Sequence, residues 1–413
     1  MPNGIMTGDG SRDNPWVVED GWDFNALRNI PANDSESVAF VELGGNINLS
    51  MFANFIPIPP RWFNIDGKGF VISDFSVQSA SGDAGLFANI NVTEYIKNII
   101  LEGVIESNHT ASNLTSGLLA GRINIQQTGV VVENIEAYGD LNFSLSGIHS
   151  SHGWGGVAGA VVVNPGVVDA TLCGCSFKGV ANLQFNSGTA GTVCSSFGGI
   201  TNFHNSGVSG ASISCSSCFA DVTVFISGNW NNLGGGRIGS ICGTIFGAGN
   251  VTNRSVFFSA CIGRIIVNYA NTVTNSRPMF YSGLLGRNNT VSGNTGVVTA
   301  ISRCAGFLEI TYDPPEAVLG AQRFYGLNGA SGGSAVSVAS SYAVIKYANP
   351  QNKELPAITE FHGIGQNVTA TNAFFDLSVL RETWDGEVGN LTRGVNTEQL
   401  QSRTFLESQG WVF

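Results

Sequence analysis

Four cysteines, Cys175, Cys218, Cys261 and Cys304, are spaced by 43 residues each, and that interval constrains the fold more than any other feature of the chain. Each follows a short run of Ser, Ala and β-branched residues. Toward the N-terminus the same slot holds Ile135, in Asn134-Ile135-Glu136-Ala137-Tyr138-Gly139, and Ile99, in Asn98-Ile99-Ile100-Leu101-Glu102-Gly103. Toward the C-terminus it falls on Tyr342, and the outer intervals shorten to between 36 and 40 residues. A slot that takes only Ile, Cys or Tyr among polar neighbours is expected to be an inward-facing rung of a stacked solenoid.

A second series runs in step, with Gly followed by two mostly apolar residues and a small one. Its members are Gly85-Leu86-Phe87-Ala88, Gly117-Leu118-Leu119-Ala120, Gly156-Val157-Ala158-Gly159, Gly191-Thr192-Val193-Cys194, Gly239-Ser240-Ile241-Cys242 and Gly283-Leu284-Leu285-Gly286, with Tyr325-Gly326-Leu327 as a degenerate seventh. Glycine at such a slot permits a close backbone approach, so each repeat is read as carrying one tight corner and one rung.

A solenoid grows by adding repeats, so 413 residues need not divide into separate cores. Fifty-four glycines and only 12% charged residues favour strands joined by turns. The predicted fold is all-β, a right-handed parallel β-helix with short capping segments at both ends. Residues 1–78 are assigned to an N-terminal cap and first coils, 79–346 to the repeat body, and 347–413 to irregular coils and a C-terminal cap. With two coils per repeat, the body would be a rod on the order of 60 Å long. The Phe24 and Leu27 spacing predicts a short helix over the open N-terminal end, and Thr397, with Leu400 and Phe405 inward, is the cap candidate at the other.

A net charge of −11 without a Lys/Arg cluster argues against nucleic acid as a partner. No apolar stretch is long enough to insert in a membrane. The N-terminus lacks the basic start and apolar run of a signal peptide, so the chain is expected to be made in a cytoplasm. Eight cysteines in a reducing compartment read as buried thiols packing as small hydrophobes. Cys173-Gly174-Cys175 and Cys215-Ser216-Ser217-Cys218 invite a metal reading, but residues three apart on a strand do not share a face, and no metal or other cofactor is expected.

Gly8-Asp9-Gly10-Ser11 through Asn14-Pro15-Trp16-Val17-Val18-Glu19, the Phe24 and Leu27 pair, the stretch from Phe63 to Val77, the Gly85-Leu86-Phe87 series and the closing Gly394–Leu400 and Gly410–Phe413 runs together resemble the GLUG-motif right-handed β-helix proteins of bacterial surfaces and bacteriophage virions. That resemblance implies a bacteriophage virion surface protein, a tail or head fibre or spike component, exposed on the particle and in contact with other virion proteins. Homotrimerisation and binding to host-surface glycans follow from the same analogy. A polysaccharide depolymerase of tailspike type and a purely architectural capsid or tail decoration protein are the alternatives.

Catalysis is not expected. Glycoside hydrolysis normally uses two carboxylates across one groove, yet Asp221 is the only acid between residues 170 and 308. Glu133, Glu136 and Asp140 on one repeat, with Glu102 and Glu106 on the one before, are the remaining candidates, and Glu102 and Asp140 align only if a strand offset is absorbed. The His149-Ser150-Ser151-His152 pair lacks a third metal ligand nearby. Aromatic rings beside turns are the better candidates for stacking on a sugar, which selects Trp154, Trp230 and Tyr281.

Overall fold

The computed structural model describes residues 6–376 apart from 32–33, 80–81, 110–113, 146–151, 187–194, 206–210, 231–235, 248–254, 270–273, 276–278, 290–297, 313–321, 330–334, 349–357 and 366–367; beyond 376 it describes only 394–395, 398–399, 402 and 404. The C-terminal cap candidate and the His149 pair therefore fall outside the described residues or at their margin.

The chain is a parallel β-helix, and one coil shows how the sequence builds it. Ser195–Gly198 is a short strand on the first face. Gly199 turns the chain into Thr201–Asn205, and Ser212–Ser216 begins the third face. Ser217, at φ 53, then bends the chain into the long strand Phe219–Trp230. Each of these strands pairs in parallel with its counterpart in the next repeat: Phe197 with Ile238, Cys215 with Phe258, and Phe219 with Ile262.

The rung residues file along the axis. Ile99 pairs with Ile135, and backbone hydrogen bonds link the coils that follow, from Phe219 N to Cys175 O, Ile262 N to Cys218 O and Ala305 N to Cys261 O. All six, Ile99, Ile135, Cys175, Cys218, Cys261 and Cys304, are buried. Neighbouring rungs belong to adjacent coils, so each repeat makes one coil rather than the two expected, and the body is about half as long as that reading implied. The rung above Cys304 also differs. Tyr342 lies opposite Ala305, and the inward slot belongs to the buried Ser341, whose Oγ accepts from Cys304 N at 3.0 Å and donates to Ala339 O at 2.7 Å.

What sets the rung is the residue before it. Asn98, Asn134, Gly174, Ser217, Ala260, Arg303, Ser340 and Asn372 all have φ between 46° and 63°. This left-handed bend resets the in-and-out alternation between the two strands it joins. Stacking holds it: Ser217 N donates to Ser259 O, Ala260 N to Ser302 O and Arg303 N to Ala339 O.

The glycine series marks the opposite corner. Behind it runs a buried apolar column, Leu86, Leu118, Val157, Ile200, Ile241, Leu284, Leu327 and Ile364, in which Ile200 N donates to Ile241 O and Leu327 N to Ile364 O. Gly191-Thr192-Val193-Cys194 lies outside the described residues, and Gly199-Ile200 takes the slot in that coil. A Cβ on Gly199 would sit 1.8 Å from Ser240 O, so no other residue fits without moving the next coil. Each fully buried Ile, Leu or Val of these columns contributes on the order of 1.5–3 kcal/mol.

A helix, Gly21–Ala26, and a 3-10 turn, Leu27–Asn29, cover the first coils as the Phe24 and Leu27 spacing predicts. Asp20 Oδ1 caps the helix by accepting from Trp22 N at 2.8 Å and Asp23 N at 2.9 Å. Phe24 then packs against Phe55 and Phe87 at ring separations of 5.8 Å.

Candidate functional site

The long strands after the left-handed bend alternate strictly. In Phe219–Trp230, Ala220, Val222, Val224 and Ile226 are buried, while Phe219 and Phe225 are exposed. Because register is kept from coil to coil, outward residues form columns as regular as the inward ones. One column reads Gln78, Glu106, Asn142, Asn182, Phe225, Asn268.

The first four members line an open groove of about 590 Å³, flanked by Asn108, Ser144 and Gln184. Gln78 Nε2 donates to Glu106 Oε2 at 2.7 Å, and Asn182 Nδ2 donates to Asn142 Oδ1 at 2.7 Å. Phe225, 44% exposed, stands one coil beyond Asn182. From Gln78 to Phe225 the column spans four strand spacings, roughly 19 Å. Amides, hydroxyls, one carboxylate and an open ring face are what an uncharged polyhydroxyl chain needs: hydrogen bonds at the edges of its rings and apolar cover for a face.

Two of the three aromatic residues expected to stack on a sugar are core residues instead. Trp154 is fully buried, with its ring stacked on Phe143 at 5.2 Å and 8° and tilted against Phe185. Tyr281 is fully buried, stacked on Phe324 at 5.5 Å, with its hydroxyl bonded to that of Tyr269; burial pushes its phenol well above the usual range. Neither offers a ring face to a ligand. The glycines around both residues look like turn signals, but here they mark the corner where coils pack most tightly. Trp230 ends its strand opposite Asn275, and its side chain lies outside the described residues. Phe225 was missed because it sits in the apolar run Val222–Ile226. Counting parity from Cys218 would have turned it outward.

The carboxylates keep strict register. Glu102 lies opposite Tyr138 and Glu106 opposite Asn142, so Asp140 lies opposite Val104, and no offset between these two strands brings it level with Glu102. Asp140 is one strand across and two residues along from Glu106, a diagonal of about 8 Å. Both side chains are exposed, and Asp140 is not among the groove-lining residues. Glu136 Oε2 accepts from Tyr138 Oη at 2.9 Å, a bond that raises the Tyr138 pKa. Asp221 is ion-paired with Arg264 at 3.2 Å.

The thiols do not follow the strand rule for residues three apart. The left-handed bend at Ser217 lies between Cys215 and Cys218 and turns both inward, and with Cys261 of the next coil their sulfurs lie within 4.8 Å of one another, all buried. Cys173, Cys175, Cys215, Cys218, Cys242, Cys261 and Cys304 are free thiols. Hydrogen bonding from Cys215, then from Cys218 and Cys304, holds the Cys261 thiol below its ordinary pKa.

No family model matches the chain, and no curated protein matches it. Among solved structures, one described as a putative immunoglobulin A1 protease from Bacteroides ovatus is similar, with 18% identity over 87% of this chain and 86% of that one and a TM-score of 0.43. Function is therefore read from the chain's own residues. Among those described, no helix is long and apolar enough to cross a membrane.

Proposed function

We propose that this chain is a non-catalytic β-helical surface protein that contacts neutral host-surface glycans through the Gln78–Phe225 column, as a component of a bacteriophage virion. The observation that carries the binding reading is the groove itself: three amides and one carboxylate in register on four successive coils, no lysine or arginine in the lining, and an exposed Phe ring next in line. Hydrogen bonds hold Gln78 to Glu106 and Asn182 to Asn142 before any ligand arrives, so these four side chains lose less freedom on binding. The virion assignment, with other virion proteins as neighbours, homotrimers as the assembly state and exposure on the particle, rests on the motif order from Gly8 to Val77 and the glycine series.

The depolymerase alternative has one observation in its favour, the Glu106 and Asp140 diagonal, whose backbone separation of about 8 Å is comparable to the carboxylate spacing of inverting glycosidases, about 6.5–9.5 Å. Against it, both groups are exposed on an open face, and nothing buries one of them to make it a proton donor. Incubating the protein with a panel of bacterial surface polysaccharides tests both readings. Retention on a neutral polysaccharide, weakened by Phe225→Ala and Asn142→Ala with no new reducing ends, is the expected result. Release of oligosaccharides that stops in Glu106→Gln or Asp140→Asn would replace binding with hydrolysis, and no retention on any member would end the glycan reading.

A further inference from the structure

We infer that Cys215, Cys218 and Cys261 form a closed three-sulfur site for one thiophilic d10 metal ion, with Cu(I) the best match. The argument starts from two inward columns that flank the left-handed bend. The column before the bend reads Val132, Leu172, Cys215, Phe258, Ile301, Val338. The column after it reads Ile135, Cys175, Cys218, Cys261, Cys304, Ser341. A cysteine as a small hydrophobe accounts for the second column, where it recurs. It does not account for Cys215, which replaces a large apolar residue at one level of the first column, the level where a thiol stands beside it at Cys218 and above it at Cys261.

The geometry suits an ion. All three sulfurs lie within 4.8 Å of one another, and metal–sulfur bonds of about 2.3 Å arranged in a trigonal plane need separations of about 4 Å, so each sulfur moves by less than an ångström. Thiolate sulfur is soft and selects Cu(I) over hard cations. The three residues are no more than 1% exposed and pack in the main apolar cluster. Among the described residues no fourth Cys, His or carboxylate joins the three sulfurs within 4.8 Å, so the cluster falls one short of the four ligands of structural Zn(II), whereas three-coordinate Cu(I) needs no more. On binding, the ion displaces thiol protons to solvent, and one thiol kept protonated would limit the charge left in the core. With both columns sealed by neighbouring coils, the ion would enter as the coils stack.

The test is to express the full chain in copper-supplemented and in zinc-supplemented cells, purify it folded, and measure bound metal and its ligand atoms by X-ray absorption. The expected result is one copper per chain with three sulfur neighbours and no retained zinc. Cys215→Val, which suits a column of Leu, Phe, Ile and Val, should fold and lose the copper. Cys304→Val, outside the triad, should fold and keep it. Copper absent from the wild type, copper retained in Cys215→Val, zinc bound with four ligands, or a disulfide joining two of the three thiols under non-reducing mass spectrometry would each overturn the inference.

Discussion

The coils up to Asn186 and those from Ser212 to Tyr269 share a backbone and differ at three columns. At the left-handed bend the first group has Asn98, Asn134 and Gly174, and the two asparagines also bond to each other and downward: Asn134 Nδ2 donates to Asn98 Oδ1 at 3.1 Å, and Asn98 Nδ2 to Asp66 Oδ1 at 3.0 Å. The second group has Ser217 and Ala260, and Ala260 has no side chain with which to bond. At the rung the first group begins with Ile and the second has Cys. Outward, at the groove column, the first presents Glu106, Asn142 and Asn182, and the second presents Phe225 and Asn268. The bend persists where the residue disfavours it, at a cost of about 1–2 kcal/mol, so stacking imposes it. Residue choice at the bend only adjusts what that costs.

The largest effect expected from breaking this comparison is at the bend itself. A β-branched residue there should destabilise both groups in denaturant unfolding, by on the order of 2–3 kcal/mol for Ala260→Val and by more for Asn134→Val, which also loses the bond to Asn98; a loss confined to one group would show that the bend is not a shared device. Asn134→Ala should cost about 1–2 kcal/mol, since it removes both an intrinsic tolerance of positive φ and the bond to Asn98. Ala260→Gly should do the opposite and stabilise by about 1 kcal/mol, while Asn134→Gly should not, because it forfeits the ladder.

Smaller still is a pH effect at the foot of the ladder. Burial would raise the pKa of Asp66, but the Lys68 backbone N–H, the Asn98 amide and the Lys68 ammonium hold it below its usual value. A carboxylate whose pKa is lower folded than unfolded adds stability above its unfolded value, about 3.9, and loses it as pH falls through the folded one. Wild type should therefore be more stable than Asp66→Asn at neutral pH, with the difference shrinking only below about pH 4; a difference that does not change on acidification would show that the aspartate is not ionised in the ladder. The smallest change in stability belongs to Phe225→Ala, which should leave thermal unfolding nearly untouched while weakening glycan retention.

The architecture was legible because it is periodic: an interval of 43 residues survives without any knowledge of what fills the turns. The bend was not legible, because Ser217, Ala260 and Arg303 share no chemistry and are placed by hydrogen bonds from the neighbouring coil. That gap produced two errors. In sequence Tyr342 fills the rung slot because its neighbour Ser341 is polar, and Cys215 and Cys218 fall on opposite faces because nothing in Ser216-Ser217 signals the bend between them. The amide column could have been found by carrying parity outward from each rung. The burial of Trp154 and Tyr281 could not, because a glycine that lets coils approach and a glycine that makes an exposed turn look the same in sequence.

Sulfur anomalous diffraction from crystals of the reduced protein tests the stacking most directly. Cys175, Cys218, Cys261 and Cys304 should appear as a line of peaks along the helix axis, spaced near one strand separation of about 4.8 Å, with Cys215 set beside the middle pair. Peaks scattered through the molecule, or paired at the bonding distance of about 2.05 Å, would contradict a single backbone wound one repeat per coil.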